Sequence, residues 1–174
     1  MDDEYVRLHS ILAEIRSDVA VLAQLRRAWS GGISSCPRAW PYLMRMPDRT
    51  QEAARIGMSL FALHVQSAPI GFDVDVDDQR QNLGKVLADA VKAKRQAGTP
   101  DAQAHVERRM CRLENTRSQA ELRQTLRSIT AWLSGLPVPV DYAQLARDYS
   151  QYRRPSNQQR IKRHWAIAFA RSLY

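Results

Sequence analysis

Residues 107–127, which read ERRMCRLENTRSQAELRQTLR, bring six arginines into one short stretch. A guanidinium binds phosphate through a planar fork of N–H donors, so the chemistry offered here is anion recognition. Val106, Met110 and Leu113 fall at i, i+4, i+7 and form a stripe suited to a core, from which Arg108, Arg109 and Arg112 project away. Arg108 and Arg112 stand one turn apart. In the second half Leu122, Leu126, Ile129 and Leu133 form the buried stripe, with Arg123 and Arg127 flanking it at i, i+4. Like charges one turn apart repel by a few tenths of a kcal/mol. With only Glu107, Glu114 and Glu121 nearby, an external anion is expected to offset that repulsion. The plainer alternative is a set of solvated helix faces, which is what most charge runs are.

The whole composition has the same bias. The 174 residues carry a net charge of +8 with a pI near 10.0, distributed unevenly. Residues 1–81 hold nine Lys or Arg against eleven Asp or Glu, whereas residues 82–174 hold seventeen against seven. The basic footprint therefore belongs to the C-terminal half, with arginine outnumbering lysine, which favours a nucleic-acid partner over bare solubility. Cys36 and Cys111 are isolated, with no CxxC and no His at ligand spacing, so neither a disulfide framework nor a zinc site is indicated. The start MDDEY is acidic where a signal peptide would be basic, and no run of 18 apolar residues occurs. A cytoplasmic protein without membrane contact or cofactor is expected.

The elements that must position these arginines read as helices. Leu8, Ile11, Leu12, Ile15, Val19 and Leu22 alternate at three and four, giving one long helix or two broken near Ser17-Asp18. Arg26, followed by Arg27, falls on the extension of that apolar face, where a charge must find a partner or a ligand. Gly31-Gly32 stops the helix, and Pro37 opens a short one through Arg45. From Thr50 to Ser67 the chain is apolar almost all round between Ile56 and Val65, the mark of a central buried helix, and His64 reads as a core histidine. Asp73, Asp75, Asp77 and Asp78 have DxDxD spacing but lack the glycine and glutamate of a calcium loop. Asn82 caps a helix ending at Lys92, Lys94 and Arg95, and Gly98-Thr99-Pro100 breaks the chain. Ser118 with Glu121 forms a capping box, and Asp141 caps a helix lined by Tyr142, Leu145, Ala146 and Tyr149. After Arg153-Arg154-Pro155 the last helix buries Ile161, Trp165 and Phe169 while Arg160, Arg163 and Arg171 run along another side. The fold class is all-α, a compact bundle of about eight helices without a sheet. It reads as a single domain over 1–174, with sub-bundles at about 1–115 and 116–174.

Catalysis is not indicated. There is no GxSxG, HExxH, P-loop or Gly-rich dinucleotide turn, and His9, His64, His105 and His164 lack a carboxylate or Cys partner at motif spacing. A helix-turn-helix regulator is the rival reading, because residues 142–169 can be drawn as two helices joined by a turn. Its last helix, however, would offer mainly Arg and Lys, with Gln158 and Gln159 as amide readers.

Several segments, in order, resemble the small subunit of the type I-E CRISPR surveillance complex Cascade, the CasB family. They are Leu25-Arg26-Arg27, Trp40-Pro41, Leu60-Phe61-Ala62-Leu63-His64 with Gln66-Ser67, and Leu83-Gly84-Lys85, which is similar to an SLGRAL turn. Glu107-Arg108-Arg109, the Leu-Arg pairs at 122–127, Pro139-Val140-Asp141-Tyr142 with Leu145-Ala146-Arg147-Asp148, and Trp165-Ala166 with Phe169 continue the series. Asn82 and Lys85 replace the usual Ser and Arg of the turn, the ending departs from a WARDFY-like pattern, and the Asp-rich loop is additional. The resemblance implies a non-catalytic subunit present in two copies, lying along the crRNA-bearing backbone beside the large subunit and touching target DNA and the displaced strand. R-loop formation exchanges a DNA duplex for a hybrid of similar stability, so modest backbone contacts can decide the balance. Arg108, Arg109, Arg123 and Arg127 are the first residues expected to make them. Arg26, Arg27, Lys85 and Arg112 follow, then Arg153, Arg154 and Arg160, all converging into one cationic track.

Overall fold

The computed structural model describes residues 2–66 and 81–174 and contains, among them, nine α-helices and no strand. These are α1 (Asp2–Ile15), α2 (Val19–Arg27), α3 (Trp40–Leu43), α4 (Asp48–Val65), α5 (Leu83–Gln96), α6 (Ala102–Asn115), α7 (Gln119–Leu133), α8 (Tyr142–Tyr152) and α9 (Pro155–Leu173). The Asp73–Asp78 loop lies outside the described residues. Where the leucine periodicity allowed one long helix or two, the chain breaks: the Asp18 carboxylate accepts from the Val21 amide at 3.0 Å and starts α2. The other expected caps form as well. Asn82 accepts from the Lys85 amide, Ser118 from Glu121, and Asp141 from Gln144. The Glu121 carboxylate reaches back to the Arg117 amide rather than to Ser118 itself, one residue beyond a regular capping box.

α4 is enclosed by α2, α7 and α8, and its residues from Ala53 to Ala62 are buried without interruption. Gly57 permits this, since a Cβ there would lie 2.8 Å from the Ala146 Cβ and 3.0 Å from the Tyr142 carbonyl oxygen of α8. At the far end of α4, His64 is buried and its Nδ1 hydrogen-bonds the Tyr142 hydroxyl at 2.5 Å. Burial lowers its pKa to about 4. The core-histidine expectation holds.

The second axis of the fold is α5 lying along α9. Leu83-Gly84-Lys85, expected as a turn, is the first turn of α5, and Gly84 serves a close helix crossing: a Cβ there would stand 1.9 Å from the Trp165 carbonyl oxygen. Trp165 in turn is buried and donates through Nε1 to the Asp148 carboxylate of α8 at 2.7 Å. Gln144 supplies that carboxylate with a second donor at 2.7 Å. Asp148 has its pKa raised by desolvation, which these two hydrogen bonds only partly offset.

Two outcomes are expected from this packing. Gly84→Ala forces backbone against backbone, so it should lower stability to urea by about 3 kcal/mol, whereas Gly135→Ala, with nothing within 4 Å, should change it by less than about 0.5 kcal/mol. The unfolded chain takes up a proton on His64 below about pH 6.5, while the folded chain resists until about pH 4. Stability from this residue is therefore complete above pH 6.5 and declines toward pH 4 by about 3 kcal/mol. Urea titrations across that window should show the decline in the parent and its absence in His64→Gln. Asp148, with a raised pKa, changes stability in the opposite direction in both proteins, so the difference between them isolates His64.

Candidate nucleic-acid interface

The cations divide according to what they touch. In the N-terminal half they meet carboxylates: Arg7 with Asp3 at 2.6 Å, Arg45 with Glu14 at 2.5 Å, Arg49 with Glu4 at 2.7 Å, and Arg55 with Glu52 at 2.8 Å. A second use is closure of helix C-termini, whose last carbonyls lack intrahelical donors and whose dipole favours a cation. Arg55 donates to the Ala28 carbonyl at the end of α2, Arg7 to the Arg45 carbonyl after α3, and Arg26 to the Ala62 carbonyl in the last turn of α4. Lys162 donates to the Glu114 and Thr116 carbonyls at the end of α6.

Arg55 and Lys162 are buried, and neither was singled out by the sequence reading. Arg55 sat inside a string dominated by apolar residues. Its signal was the Glu52-x-x-Arg55 spacing, which places the carboxylate one turn away on the same helix and allows both Nε and Nη2 to pair with it. The pairing raises the Arg55 pKa even though desolvation, the largest single influence, lowers it.

The expected interface residues fall into separate groups. Arg123 and Arg127 lie toward α4 and the residues that follow α2. Arg123 is 3.8 Å from the Glu52 carboxylate, and the Arg127 guanidinium lies 5.6 Å from the centre of the Trp29 ring. Arg153 is exposed at the end of α8; burial raises the Tyr149 pKa, and Arg123 and Arg153 act against that rise. Arg154 follows it, exposed, as the residue before α9. Arg27 donates to the Ala23 carbonyl of its own helix.

The opposite flank of α7 carries Trp132, about 180° round the helix from Arg123 at 100° per residue. There α6 brings Arg109 over the indole, 4.7 Å from its centre. Arg109 thus turns toward a neighbouring helix instead of projecting outward as the spacing implied. Its pKa is lowered by burial first, then by repulsion from Arg112 and Arg108. Arg108 is exposed and donates to His105 Nδ1 at 3.0 Å, which must hold the lone pair because a guanidinium accepts nothing. Arg112 is exposed and makes no hydrogen bond or ion pair with any described residue. Glu107 accepts from Gln103 and Glu121 from the Arg117 amide, and neither forms an ion pair with the three. A third group lies at the α5–α9 crossing. Lys85 stands in the first turn of α5 beside Asn82, whose amide meets His164 one turn beyond Arg160. Arg160 donates to Gln151 at 2.8 Å.

No helix among the described residues is long and apolar enough to cross a membrane, and no group of three or more His, Cys, Asp or Glu among them is placed to hold a metal ion. Residues 21–169 match the family model described as CRISPR-associated protein Cse2. CasB of M. ruber superposes with a TM-score of 0.72 at 21% identity, covering 96% of this chain and 94% of the other. CasB of Thermobifida fusca superposes at 0.66 and 23% identity, covering 97% and 96%. CasB of Thermus thermophilus superposes at 0.64 and 21%, covering 95% and 97%. No curated protein sequence matches the chain.

The division of cations predicts opposite responses to truncation. Glu52→Ala leaves the buried Arg55 charge without its carboxylate and should cost about 3–5 kcal/mol in urea unfolding. Arg112→Ala, on an exposed face with no described partner, should leave stability within about 0.5 kcal/mol.

Proposed function

The chain belongs to the CRISPR-associated Cse2 (CasB) family, the small subunit of the type I-E Cascade complex, and from that premise we propose that it is a non-catalytic subunit that holds nucleic acid by its backbone and stabilises the R-loop. The observation that carries the reading is the α6 cluster. Arg108, Arg109 and Arg112 stand together on α6 without a carboxylate partner among the described residues, and the Arg109 pKa is lowered by burial first and then by its two neighbours. A phosphate backbone supplies the missing charge, accepts from several guanidinium forks, and requires no base sequence. Held in this way, the displaced strand is kept from re-pairing with its complement. Target DNA and crRNA are the nucleic-acid partners in this reading, and the backbone and large subunits of the complex, with a second copy of this chain, are the protein partners.

Arg123 and Arg127 form a second contact area, moderated by Glu52. The helix-turn-helix alternative is less well supported. α9 lies along α5 with Ile161, Lys162, Trp165 and Phe169 buried, and the side left to solvent carries Arg160, Arg163 and Arg171. That surface suits phosphates and offers little for reading base edges.

The test is target-DNA affinity of the assembled complex, with and without this subunit and with single substitutions. Omission should weaken binding, and Arg108→Ala, Arg112→Ala, Arg123→Ala and Arg127→Ala should each weaken it about two- to fivefold without unfolding. Each lost single-strand phosphate contact should also reduce the slope of log affinity against log salt by about 0.7. Binding equal to the parent in all four variants would overturn the proposal.

A further inference from the structure

The Arg109–Trp132 contact has a different character from the other arginine–indole contact. Trp29, beneath Arg127, is 9% exposed and belongs to the core, so Arg127 covers a buried ring. Trp132, which packs against the edge of the core, and Arg109 are both half-buried, so their stack borders the surface, flanked on α6 by the exposed Arg108 and Arg112. The Arg109 guanidinium is also pinned: Nη1 donates to the His105 carbonyl at 3.1 Å, and the group lies over the ring 4.7 Å from its centre. Nε is buried without a hydrogen-bond acceptor among the described residues. A cation held this way, with its donors incompletely satisfied and two like charges beside it, is poorly explained by fold stability alone.

A guanidinium is planar and delocalised, and it stacks on aromatic faces. Two exposed cations suited to successive phosphates next to a surface arginine–indole stack make the combination by which proteins hold unpaired strands: a backbone track with a planar platform at its side. A duplex presents the same phosphates but keeps its bases inside. We propose that the Arg109–Trp132 stack is the seat of one unpaired nucleobase, with the adjoining phosphates on Arg108 and Arg112, so that this face prefers single-stranded nucleic acid. The inference rests on the nucleic-acid reading given above and adds the base to the ligand.

The experiment compares binding of the full-length protein to an oligothymidylate and to an abasic strand of equal length and charge, at one fixed salt concentration. The intact strand should bind about fivefold or more tightly than the abasic one, the lower end expected for one stacked base. It should also quench tryptophan fluorescence more. Trp132→Leu should lower affinity for the intact strand to that for the abasic strand and leave the abasic value unchanged. Trp132→Phe, which keeps a ring, should retain the preference and lose the extra quenching. Equal affinity of the parent for both strands would overturn the base seat and leave a phosphate-only contact. A preference that survives in Trp132→Leu would remove Trp132 from the site. Failure to bind either strand would overturn the nucleic-acid reading itself.

Discussion

The enclosure of α4 is the constraint from which the rest of the molecule follows. A helix surrounded by α2, α7 and α8 must pair or neutralise the ionisable groups it buries, because an unpaired buried charge costs several kcal/mol. Arg55 meets that demand by pairing with Glu52 and closing the end of α2 at Ala28, and His64 meets it by remaining neutral against Tyr142. These pairings tie α2 and α8 to the central helix, and α7 packs against the same helix. In that packing Arg123 lies beside Glu52 of α4, Arg127 lies over Trp29, and Trp132 faces α6.

The uneven charge of the two halves then acquires a structural meaning. Carboxylates of α1 and α4 pair with Arg7, Arg45, Arg49 and Arg55, so the first half is close to internally neutral. The later helices carry more cations than their few carboxylates can match. Lys162 is absorbed by the C-terminus of α6, but Arg108, Arg109 and Arg112 are left facing one another. The arginines that pair with carboxylates or close helix ends are thus distinct from the α6 arginines left without a carboxylate, which a count of basic residues cannot separate.

Much of the fold was legible because it rests on local rules. Apolar stripes at three and four spacing located the helices, and Asp18, Asn82, Ser118 and Asp141 marked helix starts through side chains that reach only a few residues along the chain. Gly84 was recognisable as special, but its reason was not, because the close approach of Trp165 is a contact between α5 and α9, distant in sequence. The candidate site was legible in part. Residue type and spacing identified the α6 arginines. That Arg109 turns onto Trp132, that Arg123 neighbours Glu52, and that Arg26 serves a helix end all depend on which helices are adjacent. Periodicity therefore located the charges without sorting those that stabilise the fold from those left for a ligand.

The central claim is that the α6 arginines, which have no carboxylate partner among the described residues, meet nucleic acid. Its most direct test is photocrosslinking within the assembled, target-bound complex, with a photoreactive side chain placed singly at Arg112, on the unpaired face of α6, or at Arg49, which pairs with Glu4. The account predicts crosslinks to nucleic acid from position 112 and none from position 49. Crosslinks from position 49 with none from position 112 would contradict it.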